Sequence, residues 1–304
     1  MALYQTNKNN LQNIEESPFK LEKDIQSLIE NNLKTLLDLS FIKSEFSIGN
    51  FRIDTLAYDK QTNAFVIIEY KRNKNFSVID QGYAYLSLML NNKADFILEY
   101  NESTNKTLKR NDVDWSQSRV VFISPSFTTY QKEAINFKDL PIELWEIKRF
   151  NNNTINFNQI QNTGHRESVK TVSQNSSTIN NVSKEIKVYS EEEHLANISD
   201  ETSELYETFK NAIFEIADFK IKPTKKYIAF IKNSNIVDVH IQKNKLKLWL
   251  NLNKGELDDP KKLARDVSSI GHWGNGDYEI LLTTEDNINY VIDLIKQSLL
   301  KNSK

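Results

Sequence analysis

The chain contains no cysteine, and only 4 of its 304 residues are histidine. Without thiols there are no disulfides, no thiolate zinc site and no cysteine nucleophile, and so few histidines make an imidazole metal cluster a poor expectation. Any metal must be held mainly by oxygen. Long apolar runs are also missing: nothing approaches the ~18 consecutive apolar residues of a membrane span, and the opening MALYQTNKNN has no apolar core of signal-peptide length. A cytoplasmic protein with no membrane partner is the expectation. Neither charge dominates, with Lys+Arg 39 against Asp+Glu 41 and a net charge of −2. No global basic field is available to draw in a polyanion, so any such site must be local. The dinucleotide fingerprint and the Gly-Lys-Ser/Thr phosphate loop are absent too, as are internal repeats and coiled-coil heptads.

What is present suits a soluble chain of about two domains, with 39% hydrophobic and 26% charged residues. From Asn151 to Ser203 the sequence is rich in Asn, Ser and Thr, poor in large apolar residues and net acidic. This composition reads as a mobile linker between a domain over 1–150 and another over 204–304. In the first, EKDIQSLIENNLKTLL carries Ile25, Leu28, Ile29, Leu33, Leu36 and Leu37 at helical spacing. EFSIGNFRIDTLAYD alternates as a strand pair with Gly49-Asn50 as its turn, and NAFVIIEYK supplies the next strand. VIDQGYAYLSLMLNN reads as a helix, DFILEY and RVVFISP as strands, TYQKEAINF as a helix and IELWEIKRF as a strand. The expected fold class is α/β, a mixed sheet flanked by helices, followed by a small α+β domain in which DPKKLARDVS is helical and GHWGNGD is a loop.

VIIEYKR, Val66 to Arg72, starts as a buried strand and ends in charge. Alternation puts Glu69 and Lys71 on one face, and charges taken from water need pairing or a metal. With Asp59 facing Ala64 across the loop KQTN, the antiparallel register carries Asp54 opposite Glu69. Directly opposed residues have Cβ atoms ~4.5–5.5 Å apart, so two carboxylates converge. Such carboxylates repel unless a cation intervenes, and oxygen ligands suit Mg²⁺ or Mn²⁺. Lys71 adds a positive group beside a phosphorane or an attacking water. These are the parts of metal-assisted phosphodiester hydrolysis. A structural salt bridge at a strand end is the alternative.

Asp54 and Glu69-Tyr70-Lys71 resemble the metal site of the PD-(D/E)XK, or restriction-endonuclease-like, nuclease superfamily, closely over residues 20–100 and loosely over 100–150. Ile53 stands where that pattern has Pro. The resemblance implies an acid on the first helix, matched by Glu22 in EKDIQ, and a Gln on the helix after the Lys strand, matched by Gln81 with Tyr85 one turn on. The order of these residues most resembles branched-DNA and mismatch endonucleases of archaeal type. It implies an Mg²⁺- or Mn²⁺-dependent endonuclease, on DNA rather than RNA, in defence against foreign DNA or in repair. Asp54, Glu69 and Glu22 would hold metal, Lys71 would position the nucleophile, Gln81 would orient Lys71, and duplex cutting would favour a homodimer. The rival expectation is a non-catalytic nucleic-acid or protein interaction module on the same fold.

Glu22 precedes Ile25 and Ile29 at helical spacing, which aims it toward the sheet, although a solvated first-turn acid is the alternative. Arg72 and Lys74 in KRNKN are candidate phosphate contacts. His272, Trp273 and Asp277 in GHWGNGD form a candidate site in the second domain, against the plainer reading of a tight turn. That domain resembles an uncharacterised domain found behind such nucleases.

Overall fold

The computed structural model describes residues 2–72, 76–161, 167–172 and 176–302. The chain divides into two units, Met1–Val188 and Tyr189–Lys304. No described helix is long and apolar enough to cross a membrane.

The first unit opens with a hairpin of β1 (Leu3–Asn7) and β2 (Asn10–Ile14). The helix expected next is broken into α1 (Glu22–Asn31) and α2 (Leu33–Leu37). The Asn31 and Asn32 side-chain amides donate to the Ser27 and Leu28 carbonyls at 2.8 Å, competing with the helix's own bonds where it breaks. β3 (Ser40–Ile48) and β4 (Phe51–Asp59) then pair across Gly49-Asn50, with Gly49 at φ +55°. In the loop to β5 (Ala64–Tyr70) the Asp59 carboxylate accepts from the backbone N–H groups of Gln61 at 2.9 Å and Thr62 at 3.3 Å. This Asx turn fixes the register as the sequence implies, from Asp59 opposite Ala64 to Thr55 opposite Ile68.

α3 (Val78–Asn91) follows, and then α4 (Lys93–Thr104), where DFILEY suggests a strand. Phe96 and Tyr100 show why: one helical turn apart, both are buried, while Leu98, which strand alternation would place with them, is exposed. β6 (Arg119–Ser124), α5 (Thr129–Ala134), β7 (Ile142–Arg149) and β8 (Ile155–Gln159) complete a sheet of order β3-β4-β5-β6-β7-β8. β5, β6 and β7 run parallel and the other pairs are antiparallel, giving the mixed, helix-flanked sheet expected. Its two faces carry separate cores. Phe65 and Ile67 pack with Tyr83, Leu86 and Phe96 on one side, and Val66, Ile68 and Tyr70 with Ile25 and Ile29 on the other.

The linker expected over 151–203 is corrected by the structure, because part of it is integral to the first unit. β8 pairs with β7, and after α6 (Val169–Val172) comes α7 (Ser177–Glu185), with Ile179, Val182 and Ile186 buried in the α3-side core. Few apolar residues suffice when all of them face one way. A fragment ending at Val188 is therefore expected to melt cooperatively, whereas one ending at Phe150 should not fold. Losing three buried aliphatic side chains alone costs about 5–9 kcal/mol at about 1.5–3 kcal/mol each, comparable to the whole stability of a domain. Circular dichroism melts of the two fragments check this, and a shorter fragment that melts like the longer one would make α7 dispensable.

The second unit begins with α8 (Glu191–Leu195) and α9 (Asp200–Phe214), which also take up part of the stretch expected as linker. β9 (Lys220–Pro223), β10 (Ile228–Ile231), β11 (Asn235–Gln242), β12 (Lys245–Leu250), β13 (Arg265–Asp266) and β14 (Tyr278–Leu282) form an antiparallel sheet of order β13-β14-β12-β11-β10-β9. α9 and α10 (Ile288–Asn302) supply Phe209, Ile213, Val291 and Ile295 to the core of this sheet. DPKKLARDVS is turns and the short β13 rather than a helix. Asp259 accepts from the Ala264 N–H at 2.7 Å and from the Tyr290 hydroxyl at 2.6 Å, bonds that hold the segment in a turn.

Candidate carboxylate and lysine site

The site lies just beyond the last pair that joins β4 to β5, while β4 goes on beside β3 and β5 beside β6. The register that sets Thr55 against Ile68 brings Asp54 beside the end of β5, and its Oδ2 accepts from the Tyr70 N–H at 3.0 Å. Glu69 is 4% exposed. Its Oε1 accepts from Lys71 Nζ at 2.7 Å and from Gln81 Nε2 at 3.1 Å, while its buried Oε2 has no hydrogen-bond partner among the described residues. Buried carboxylate oxygens are rarely left so. Burial first, and then the Glu69 charge, push the Asp54 carboxyl from its ordinary 3.8 up to about 6, against the lowering effects of the Tyr70 N–H and Lys71.

Gln81 reaches Glu69 because α3 lies close against the sheet. A Cβ at Gly82 would collide with the Ile142 side chain. Gln81 also donates to the Tyr85 hydroxyl at 3.2 Å, and Tyr85 is buried, which pushes its phenol well up. Among the described residues no hydrogen bond joins Gln81 to Lys71. The two donate to the same Glu69 oxygen. Lys71 is tied to β6 by its N–H to the Ile123 carbonyl at 2.9 Å, and its Nζ lies 5.8 Å from the Phe76 ring centroid.

Glu22 is placed otherwise than the sequence suggests. α1 packs on the face opposite α3, and Glu22, exposed at its first turn, accepts from the Arg72 N–H at 2.8 Å. Among the described residues no three acidic or imidazole side chains come together as a metal-binding group. Arg72 is exposed, and its guanidinium donates to the Lys20 carbonyl. Lys74 lies outside the described residues.

Sequence reasoning missed the support on the opposite face. Gln26, buried in α1, donates to the Asp54 carbonyl at 2.9 Å and to Glu30 at 3.0 Å. Glu30 accepts from Thr55 Oγ1 at 2.6 Å, which lies 3.1 Å from the Tyr70 hydroxyl. The signal was available: Gln26, Ile29 and Leu33 follow one helical stripe, so a polar residue there needed a partner. In the second unit His272 and Trp273 line a cleft. Asp277 is not among the side chains lining it, and its carboxylate accepts from the Lys254 N–H at 2.8 Å.

These observations define a two-unit α/β chain with paired carboxylates and a lysine at a strand end. The chain belongs to the same family as an uncharacterised protein of Haemophilus influenzae, to which it is 54% identical over 300 residues, 98% of this chain and 99% of the relative. Residues 191–299 match the family described as a domain of unknown function, DUF5655. Among solved structures, a repair endonuclease from Pyrococcus abyssi is 20% identical, over 40% of this chain and 45% of that one, with a TM-score of 0.23. An EndoMS-dsDNA2 complex is 16% identical, over 48% of this chain and 64% of that one, with a TM-score of 0.27. The chain spans less than two thirds of either structure.

Proposed function

We propose that the first unit is a divalent-metal-dependent nuclease, using Mg²⁺ or Mn²⁺, that hydrolyses phosphodiester bonds in DNA. The observation that carries this reading is the buried Oε2 of Glu69, without a hydrogen-bond partner among the described residues, beside an Asp54 carboxyl raised to about 6, with Lys71 Nζ 2.7 Å from the other Glu69 oxygen. The donor set fits a hard cation: two carboxylates, one orphaned oxygen and no thiol. Asp54 and Glu69 would hold the ion, which when bound supplies Lewis-acid polarisation of a phosphoryl oxygen.

The chain's own groups do the rest. The Tyr70 N–H and the Gln26 amide fix Asp54 from its two ends. Gln81 holds Glu69 Oε1, leaving Oε2 for the ion. Lys71 brings a positive charge to the place where a phosphate oxygen gains negative charge, which favours the transition state over bound substrate. Arg72 lies next along the chain, exposed, as a phosphate contact. A defence or repair role fits such chemistry, and cutting both strands of a duplex would take two copies of the chain.

The engagement of Glu22 with Arg72 favours a second reading, a module of this fold that binds DNA without cutting it. One experiment separates the two. Single- and double-stranded DNA and RNA are incubated with the full chain in Mg²⁺, Mn²⁺ or EDTA, and the same metals are titrated in thermal melts. DNA cleavage abolished by EDTA, with metal raising the melting temperature, is the expected result. DNA binding with neither cleavage nor a metal shift would establish the second reading.

A further inference from the structure

The second unit holds a cleft of about 320 Å³ whose lining combines rings and cations: Trp249, His272, Trp273 and His240 with Lys247 and Arg265. The buried Glu279 carboxylate takes Arg265 Nη2 at 2.8 Å and Lys247 Nζ at 3.2 Å, so one carboxylate meets two cations. Lys226, 4.6 Å from the Trp273 ring centroid, adds another positive charge. An anion is favoured there.

The rings favour a flat ligand. His272 stacks on Trp249 with centroids 6.4 Å apart and planes at 22°, and Trp273 is 52% exposed. Trp249 itself is 2% exposed, yet its buried Nε1–H has no acceptor among the described residues. The loop bearing His272 and Trp273 is also built rather than loose. Both His272 ring nitrogens face carbonyls, Ile270 at 3.0 Å and Gly276 at 2.9 Å. The buried Asp238 accepts from the Asn275 N–H at 2.6 Å and from its side-chain amide at 2.8 Å. Gly276 sits at φ +81° where a Cβ would overlap the Leu250 carbonyl, and a Cβ at Gly274 would strike the Trp249 ring. Such a loop is pre-organised for a ligand.

A negative charge and a flat ring together describe a nucleotide. The volume stands at the low end of the about 300–1,000 Å³ usual for ligand sites, which suits one nucleotide rather than a length of strand. We propose that this cleft binds a nucleoside 5′-monophosphate unit, its base against His272 and the exposed Trp273 and its phosphate on Arg265 and Lys247. The unit can be a free nucleotide or one residue of a single strand. The proposal does not depend on the nuclease reading.

Isothermal titration of the full chain in EDTA tests it, with adenosine monophosphate, adenosine, inorganic phosphate and a short oligodeoxyadenylate as probes. The monophosphate is expected to bind with a dissociation constant on the order of 10–100 μM, and adenosine and phosphate about tenfold or more weakly. Arg265→Ala should weaken the monophosphate about tenfold and leave adenosine unchanged, because the lost contact is to the charge. Trp273→Ala, at an exposed position that does not threaten folding, should weaken monophosphate and adenosine alike. Tighter binding of the oligonucleotide with the same Arg265 dependence identifies strand as the source, and tighter binding of the monophosphate identifies the free nucleotide. No binding of the monophosphate at millimolar concentration, or an affinity unmoved by both substitutions in folded protein, overturns the proposal.

Discussion

Asp54→Asn is expected to cut metal-dependent cleavage by about a thousandfold or more and, in the same protein without metal, to raise the melting temperature. The two effects share one cause. Asn keeps an oxygen to accept the Tyr70 N–H, so the hairpin end stays bonded, but the charge that burial and Glu69 oppose is gone. The rise of the carboxyl from 3.8 to about 6 corresponds to roughly 3 kcal/mol. Screening at this partly open strand end reduces it to about 1–2 kcal/mol. At about 2–4 °C per kcal/mol for a unit of this size, the gain is about 2–8 °C at pH 7.5 in EDTA.

The sign follows from linkage. The folded carboxyl titrates above its unfolded value, so the native chain binds the extra proton between them and the penalty is full only above about 6. The advantage of Asn should therefore shrink as pH falls through 6 and vanish near the unfolded value. Cleavage by the wild type should rise with pH through the same range, with a midpoint that moves lower as Mg²⁺ increases, since metal and proton compete for one carboxylate. Melts and initial rates over pH 4–8 measure both. A variant less stable than wild type at pH 7.5 would mean that the charge holds the strand end together, and full cleavage by the variant would remove Asp54 from the site.

The other large effect concerns Lys71. Lys71→Met should lower single-turnover cleavage by about a hundredfold to a thousandfold and change DNA affinity by less than about threefold, because its charge is needed most when the phosphate gains charge. It should also lower stability, since Glu69 is left buried with one charged partner fewer. Glu69→Gln in the same chain should restore the melting temperature but not the rate, which separates a folding defect from a chemical one. Affinity measured in EDTA and single-turnover rates in Mg²⁺ decide the matter. A variant that loses affinity while its turnover is intact would make Lys71 a phosphate anchor.

The central hairpin is legible in the sequence because its causes are local. Asp59 closes a turn with its own neighbours, and period-two alternation from Ala64 onward then determines which residue meets which. Glu69 and Lys71 share a face for the same reason, and Gln81 follows from helical spacing one element later. The cysteine-free composition by itself restricts any metal to oxygen and imidazole ligands. The tertiary structure decided what spacing does not encode. Whether DFILEY is strand or helix turned on Leu98 facing solvent while Phe96 and Tyr100 reach the core, and a short apolar run satisfies either period. The unit boundary moved from 150 to 188 because α7 covers α3, a contact between segments far apart in the chain. Glu22, exposed at the first turn of α1, meets the Arg72 backbone N–H, a partner 50 residues on that helical spacing does not name. Sequence dictates which groups lie on one strand or one helix face, since backbone geometry acts at short range. Which of those faces meet depends on how the layers stack, and this is settled only when the core closes.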